Sequence, residues 1–398
     1  MRLKSALAAL ALVGFAGAAT GQSLKPDQVM SSVSVQTISE PNPVLGADDR
    51  VHLAYELLIA NTSHLFITLD KIEAVEPGGK VLGTQDGKVL AGMTSAFSGT
   101  GTTLAPGASA VVLVDLPFAK NDKLPQTIMA RLTVTRALAG QDGKPTLYPP
   151  SEPLPKTVVF TGATTGIGKP ARVVEPPLRG PGWIAVNGCC DSMTSHRGAI
   201  MAVNGQLRVP ERFAIDWIKV DAEGRVYTGD MAKLESYAYY GAPIHAVADG
   251  TVVNLYNEAD EQIPGKISSI TTENIGGNMM VIDIGDGAYA FYAHMQRDSL
   301  KFKLGDKVKT GDVVGLLGNT GNTTAPHLHF HVMDGTSPLD ANSLPYVFTR
   351  FSTRGVVQMD DSSDPIEKGD PAKVVDDGRT GEHADQLPLN NQLVDFAD

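Results

Sequence analysis

The sequence predicts an all-β protein with two domains, an immunoglobulin-like β-sandwich at the N-terminus followed by a second strand-rich domain. Three observations predict this class. Apolar residues alternate with polar ones in several short segments. Turn sequences rich in glycine, such as EPGGK, QDGK, IGDG and KLGDK, separate these segments. Helical periodicity is almost absent from the second half, so helices are not expected to dominate either domain.

The first predicted domain covers residues 24–159 and contains four clear strand candidates. These are VHLAYELLI, LFITLDKIEAV, GASAVVLVDL and TIMARLTVT, each with the period of two that is typical of a strand with one buried face. Several short strands joined by Gly/Pro turns favour a sandwich of immunoglobulin-like type. His52 and His64 are expected to be surface or strand residues, and no catalytic cluster is visible in this domain.

The extreme N-terminus indicates export. Arg2 and Lys4 precede an apolar run that ends in Ala16-Gly17-Ala18, so residues 1–21 are interpreted as a signal peptide. The run is too short for a stable membrane span, and no cysteine lies near the cleavage region, so no membrane anchor is expected. The mature protein is therefore expected in the periplasm or outside the cell.

Charge excludes one class of partner. The formal net charge is −11, and a nucleic-acid binder needs a basic face, so no nucleic-acid partner is expected. Residues 351–398 carry eleven Asp/Glu against four Lys/Arg, which gives a net charge of −7 in that segment alone.

The rest of the chain divides into three predicted segments. Residues 160–182 are rich in Gly and Pro and are predicted to be a linker, and residues 183–350 are predicted to be the second domain. Residues 351–398 are predicted to be an acidic tail whose apolar end packs back on the body.

The only cysteines are the adjacent pair Cys189 and Cys190. Adjacent cysteines cannot form a disulfide framework between distant segments. Three possibilities remain open from the sequence: a disulfide between the two neighbours, thiolates that bind a metal, or two small buried residues in a turn.

Three of the nine histidines lie in the segment APHLHFHV, at positions 327, 329 and 331. Successive side chains of a strand point to opposite faces, so these histidines share one face, with neighbours about 6.6 Å apart. Leu328 and Phe330 take the other face and supply the packing. Imidazoles on one face are an unusual choice for a hydrophobic core, and they favour a metal or acid–base site.

Around these histidines the sequence closely resembles the zinc endopeptidases related to lysostaphin, which cut peptide cross-bridges in bacterial cell walls. The segment YAFYAHM contains a YAHL-like element, the turn from Gly305 to Gly321 matches a glycine-patterned motif of that family, and Pro326 to Phe330 match its PHLHF strand. The resemblance runs from Asp216 to Asp334. It implies a lysostaphin-like antiparallel β-sheet peptidase domain and one Zn2+ per chain.

The resemblance also implies roles for individual residues. His329 and Asp216 correspond to zinc ligands, and His327 and His294 correspond to the catalytic histidines. Three protein ligands leave the fourth position of zinc open for water, and neutral histidines beside it can move protons. His331, where the family commonly has glutamate, is a candidate for substrate binding.

One ligand of the family is absent. The family has a histidine four residues before the aspartate, but this chain has Arg212, which matches a variant branch and has no lone pair for a metal. Three readings stay open. A histidine from elsewhere completes the site, with His196 favoured over His331 and His245. A thiolate of the cysteine pair completes it. Alternatively, the site is lost and Arg212 supplies a positive charge near Asp216. If the protein is an enzyme, Arg212 is a candidate to hold Asp216 or to bind a substrate carboxylate.

The expected function is that of an exported zinc metalloendopeptidase that hydrolyses peptide bonds of peptidoglycan, in cross-bridges or stem peptides. The alternative is a catalytically degenerate member that binds the cell wall or regulates another hydrolase. Arg212 favours the alternative, whereas the joint presence of Asp216, His294, His327 and His329 favours the enzyme. The N-terminal sandwich is the candidate surface for a protein partner.

Overall fold

The computed structural model describes residues 28–359 and 368–398, and they form an almost entirely β protein. The predicted signal peptide lies outside the described residues. Within them, no helix combines the length and the apolar character needed to cross a membrane. The described helices are one short α-helix, α1 (Gly87–Gly92), and one 3-10 turn at Leu234–Ser236.

The N-terminal domain consists of two antiparallel sheets. Its strands are β1 (Val33–Thr37), β2 (Asn42–Leu45), β3 (Arg50–Asn61), β4 (Phe66–Val75), β5 (Val81–Asp86), β6 (Thr94–Ala96), β7 (Thr103–Leu104), β8 (Ser109–Ala119), β9 (Thr127–Ala139), β10 (Pro145–Thr146) and β11 (Thr157–Gly166). The first sheet has the order β1-β3-β8-β6 with β2 on β3, and the second has the order β10-β9-β4-β5 with β11 on β9 and β7 on β4. The four strand candidates became β3, β4, β8 and β9.

Both sheets contribute to one hydrophobic core, in which Leu53 and Leu57 of β3 lie with Ile67 of β4 and Leu132 of β9. This shared core shows that the sheets pack face to face, as the period-two alternation requires. The description as immunoglobulin-like stays a prediction.

The C-terminal domain is built on a 12-stranded sheet. The remaining strands of the chain are β12 (Arg172–Val174), β13 (Trp183–Val186), β14 (Met201–Val203), β15 (Gln206–Arg208), β16 (Ile215–Lys219), β17 (Pro243–His245), β18 (Gly250–Tyr256), β19 (Asn278–Asp283), β20 (Tyr289–Met295), β21 (Lys307–Val308), β22 (Val313–Leu316), β23 (Leu328–Met333), β24 (Ser343–Leu344), β25 (Tyr346–Phe348), β26 (Phe351–Val357), β27 (Val374–Val375), β28 (Gly381–His383) and β29 (Gln392–Asp395). The large sheet has the order β21-β18-β19-β20-β23-β16-β13-β29-β26-β27, with β24 on β23 and β28 on β26.

The central strand β23 has apolar side chains on one face and histidines on the other. Leu328, Phe330 and Val332 lie in the large core of this domain. His329 and His331 alternate with them and therefore point to the other face of the sheet. The predicted division of this segment into a packing face and a histidine face is confirmed.

The segments predicted as linker and tail are more ordered than expected. β11 continues to Gly166 and pairs with β9, so the first part of the predicted linker belongs to the N-terminal domain. β26 begins at Phe351 and lies in the large sheet, so the segment predicted as an acidic tail begins with a strand of this sheet. The chain end returns to the body, where β29 lies between β13 and β26. The apolar residues of that end supply the reason for its return, because burying them removes apolar surface from water.

The two domains are in direct contact. Leu387 donates its amide hydrogen to the carbonyl of Leu45 at 2.8 Å, and its own carbonyl accepts from the amide of Ala47 at 2.9 Å. On β3, the residues that alternate with the sandwich core, His52, Ala54 and Glu56, are buried as well. His52 is therefore a strand residue but not a surface residue, because the C-terminal domain covers the second face of β3.

Candidate metal and catalytic site

The site begins with two strands that place Asp216 opposite His329. β16 and β23 run antiparallel, and Asp216 and His329 are direct partners in their register. Directly opposite residues on one face have neighbouring side chains. Accordingly, Nδ1 of His329 lies 2.9 Å from Oδ1 of Asp216. The two residues that correspond to zinc ligands by the family resemblance thus contact each other across adjacent strands.

His196 lies beside this pair. Its Nε2 is 3.2 Å from Oδ2 of Asp216, and its Nδ1–H donates to the carbonyl of Ala214 at 3.0 Å. That donation leaves Nε2, which faces the carboxylate, as the nitrogen that can bind a metal once its proton is released. His196, Asp216 and His329 form a group whose ligand atoms all lie within 4.8 Å of one another, close enough to hold one metal ion.

His294 reaches the site through an unusual backbone conformation. Its φ is +60°, in the left-handed region that few non-glycine residues adopt. In a regular strand the side chains of Phe291 and Ala293 would share the face opposite to that of His294. All three nevertheless line the same cavity, because the left-handed residue ends the alternation of β20.

Two glycines allow the next loop to support His294. The carbonyl of Thr320 accepts Nδ1–H of His294 at 2.7 Å. A Cβ on Gly277 would lie 2.1 Å from that carbonyl oxygen, and a Cβ on Gly321 would lie 2.1 Å from the amide nitrogen of Gly277. Gly277, and Gly321 of the GNTG turn, are thus needed for the close approach that fixes the ring of His294.

His327 is held in a similar way. Its Nδ1–H donates to the carbonyl of Ala325 at 2.8 Å. Its Nε2 lies 3.3 Å from Oδ1 of Asp216, and its ring centroid is 4.6 Å from that of His294. In both histidines the Nδ1–H is used by a backbone carbonyl, so that Nε2 is the atom available for proton transfer.

His331 lies deeper in the same cavity and is 1% exposed. Its Nδ1 is 2.9 Å from Nε2 of His329, while its own Nε2 is buried and has no hydrogen-bond partner among residues 28–359 and 368–398. If His329 uses Nδ1 for a metal, its Nε2–H donates to Nδ1 of His331, which fixes the ligating tautomer. His331 contacts a candidate ligand, and its role in substrate binding stays a prediction.

The electrostatics of the site follow from burial and mainly from the Asp216 carboxylate. Burial raises the pKa of Asp216, but the charges of His196 and His327 outweigh it and hold that pKa well below its usual range. Burial lowers the pKa of His196, but the Asp216 carboxylate raises it to about 9. The pKa of His327 is raised by the same carboxylate against burial. Burial and neighbouring positive charge lower the pKa values of His294 and His331 well below 6.5, so both rings are neutral.

Arg212 does not lie in the cavity, which corrects the expectation that it contacts Asp216 or a substrate. It precedes β16 in a turn, is 1% exposed, and forms a salt bridge with Glu56 of the N-terminal domain. The reason is charge pairing, since a buried guanidinium requires a buried anion and Glu56 supplies it. Arg212 is therefore neither a metal ligand nor a partner of Asp216.

The remaining candidates for the third ligand also lie elsewhere. Cys189 and Cys190 are joined to each other by a disulfide, so they offer no thiolate. His245 lies on β17, where its Nδ1–H donates to the carbonyl of Gly311 at 3.0 Å, and it lines a different pocket. The geometry thus favours His196 among the readings that the sequence left open.

The cavity that contains these groups has a volume of about 370 Å3. Besides the histidines and Asp216, its walls include the apolar side chains of Ile267, Ile275, Phe291, Pro338 and Leu339. Asn187 also lines it and donates from Nδ2 to Oδ2 of Asp216 at 2.9 Å, which orients the carboxylate. The sequence analysis did not identify Asn187; the signal available was its position two residues before Cys189, at the start of the segment that leads to His196.

Residues 234–341 match Peptidase family M23. The chain is 30% identical over 128 residues to the glycyl-glycine endopeptidase ALE-1 of Staphylococcus capitis, a match that covers 32% of this chain and 31% of the relative. It is 32% identical over 101 residues to the peptidoglycan DD-endopeptidase ShyA of Vibrio cholerae, covering 25% and 20%. The chain thus spans less than a third of the length of these curated relatives.

Among solved structures, the catalytic domain of lysostaphin from Staphylococcus simulans is 26% identical, with 36% of this chain and 80% of that chain covered. The TM-score is 0.22, so this structural likeness adds nothing to the sequence matches.

Proposed function

We propose that this chain, whose C-terminal domain is a lysostaphin-like member of peptidase family M23, is an exported zinc metalloendopeptidase that hydrolyses peptide bonds in peptidoglycan. The observation that carries the proposal is the convergence of His196, Asp216 and His329 in a cavity that also contains His294 and His327. Three protein ligands for zinc beside two proton-transfer groups form an arrangement that supports metal-assisted hydrolysis of peptide bonds.

The residues present fit Zn2+. Two imidazole nitrogens and a carboxylate are donors that zinc accepts, and three such ligands leave a fourth position for water or substrate. His196 uses Nδ1–H for a backbone carbonyl and His329 can use Nε2–H for His331, so each can offer its other nitrogen to a metal. Metal coordination by His196 would release the proton that Asp216 stabilises on that residue by raising its pKa.

When bound there, zinc would supply Lewis-acid polarisation of the scissile carbonyl and a lowered pKa for the attacking water. The protein groups around it would move protons. His294 is neutral and carries its Nδ1–H on the Thr320 carbonyl, so its Nε2 can accept a proton. His327, with Nε2 beside Asp216, is placed to donate a hydrogen bond or a proton as charge develops on the substrate.

The cavity walls suit a peptide. Apolar side chains such as Ile267 and Leu339 provide surface for aliphatic parts of the substrate, while the histidines and Asn187 supply polar contacts at one point. One relative is named a peptidoglycan DD-endopeptidase and another a glycyl-glycine endopeptidase. We therefore propose peptidoglycan peptides as the substrate class, without choosing between cross-bridges and stem peptides.

The proposal is tested with two kinds of purified peptidoglycan sacculi, one that contains peptide cross-bridges and one in which the stem peptides are joined directly. The protein is added with stoichiometric zinc, and released peptides and new amino termini are identified by mass spectrometry. We expect products from at least one type, loss of products on chelation, and recovery on addition of zinc. Binding to sacculi without any released product, by a protein that retains zinc, would contradict the proposal and favour the alternative of a wall-binding or regulatory module.

A further inference from the structure

We propose that Glu56 of the N-terminal domain is a positioning residue for the metal site of the C-terminal domain, and that it acts through Arg197 and Arg212. The inference rests on the proposed function, because Arg197 directly follows the candidate ligand His196 and Arg212 lies four residues before the candidate ligand Asp216. In this view the arginine that replaces the family's ligand histidine anchors the site to the first domain.

Glu56 has no exposed surface and points from β3 toward the C-terminal domain. Its Oε1 accepts from Nη1 of Arg197 at 2.7 Å and from Nε of Arg212 at 3.0 Å. Its Oε2 accepts from Nε of Arg212 at 3.1 Å and also from Nη2 of that residue. One carboxylate of the first domain therefore holds two guanidiniums of the second.

The other hydrogen bonds of Arg212 lead to the same domain. Nη1 donates to the carbonyl of Glu40 at 3.1 Å, and Nη2 donates to Oγ of Ser39. The guanidinium is a rigid planar fork, so contacts from three of its nitrogens fix its position and orientation. The turn that carries Arg212, which leads directly into β16 and Asp216, is thus fixed by the N-terminal domain.

Arg197 fixes the position of the loop that carries His196. Its Nη2 donates to the carbonyl of Val114 on β8 at 3.2 Å, and its Nε donates to the carbonyl of Cys190 at 3.3 Å. His196 is the preceding residue, and its Nδ1–H reaches the carbonyl of Ala214 on the other anchored segment at 3.0 Å. The loop with His196 and the strand with Asp216 are therefore held in register through Glu56.

Stability alone does not explain such a cluster. Burying three charged groups is costly, and apolar side chains of similar volume are often as stable or more so. A planar, multiply bonded network does give what a metal site needs, namely ligands held in place by a surrounding shell. We therefore assign the cluster a positioning role for the ligands.

The test measures zinc affinity of the full chain by competition with a chromophoric chelator. Glu56→Gln and Arg212→Met are compared with Gln386→Ala, which removes inter-domain hydrogen bonds to Gly46 and Asp49 without contacting either ligand segment. We expect the first two variants to bind zinc at least about tenfold more weakly and the control to match the wild type. If Glu56→Gln does not fold, the zinc affinity of Arg212→Met provides the test, because this variant leaves Glu56 paired with Arg197.

A second measurement separates this inference from the proposed function. Hydrogen–deuterium exchange of the metal-free chains is followed in peptides covering residues 192–200 and 211–217. We expect faster exchange in both peptides for Arg212→Met and no change for Gln386→Ala. A wild-type protein that does not bind zinc would contradict the proposed function. The hydrogen–deuterium exchange measurement would still test whether Glu56 anchors the two ligand segments. Folded variants with wild-type exchange and wild-type zinc affinity would overturn the positioning role alone.

Discussion

Nε2 of His196 lies 3.2 Å from Oδ2 of Asp216, although a hairpin and a turn separate the two residues along the chain. This contact places an imidazole beside the aspartate where Arg212 cannot supply a ligand. The loop after β13 brings His196 there, and the strand pairing of β16 with β23 brings His329 to the same carboxylate. A three-ligand site can therefore exist without the family's usual histidine.

Replacing His196 by alanine is expected to weaken zinc binding by about ten- to a hundredfold or more, because one of the three proposed zinc ligands is lost. The chain is expected to stay folded, because the removed side chain lies at the edge of the core. Zinc content after dialysis against a weak chelator measures the effect. His245→Ala is the matched control, since that histidine lines a different pocket. Equal zinc loss in both variants would contradict the assignment of His196.

Arg212→His, which restores the residue type of the family, is not expected to improve zinc binding. Position 212 faces Glu56, so the new imidazole would replace a buried ion pair and lower the free energy of unfolding by about 3 kcal/mol. Urea titration measures this change. Arg208→His is the control, because its pairing with Asp340 is partly exposed and is expected to contribute less than about 1 kcal/mol. Tighter zinc binding by Arg212→His would show that this position reaches the cavity.

Replacing His294 or His327 by alanine is expected to reduce hydrolysis about 10²- to 10⁴-fold, the usual contribution of a general acid or base. Zinc content is expected to stay near that of the wild type, since neither residue belongs to the proposed ligand set. Initial rates of peptide release from sacculi, measured beside the zinc content, test both parts. A variant that keeps the wild-type rate would remove its histidine from the catalytic role.

The stability of the protein is expected to decrease as the pH rises from 6.5 to 9, because of His52. Burial lowers the pKa of this histidine, but hydrogen bonds to Asp115 and Asp48 outweigh it and raise the pKa from 6.5 to about 9. A raised folded-state pKa stabilises the protein below the unfolded value and loses that contribution as the pH passes the folded value. The contribution is on the order of 3 kcal/mol. His52→Gln is expected to flatten this pH dependence in urea titrations, and an unchanged slope would contradict the role of His52.

The sequence predicted best what depends on local periodicity. The alternation in VHLAYELLI and GASAVVLVDL predicted β3 and β8, and the spacing of His327, His329 and His331 predicted a shared face opposite Leu328 and Phe330. In each case a period of two decides which side chains are buried.

The sequence could not predict what depends on contacts between distant segments. The second face of β3 is polar in sequence but buried, because Glu56 meets two arginines from the other domain. The alternation rule also fails at His294, where a positive φ turns the side chain toward the cavity. The strands after Phe351 were missed because the acidic composition of that segment outweighed the alternation of β26.

The most direct test is a crystal structure of the zinc-loaded protein, with anomalous diffraction measured above and below the zinc absorption edge. We predict one anomalous peak per chain, about 2.0–2.2 Å from Nε2 of His196, a carboxylate oxygen of Asp216 and Nδ1 of His329. We also predict that Arg212 keeps its salt bridge with Glu56 in that structure. A peak that lacks His196 as a ligand, or no peak in this cavity, would contradict the proposed zinc site.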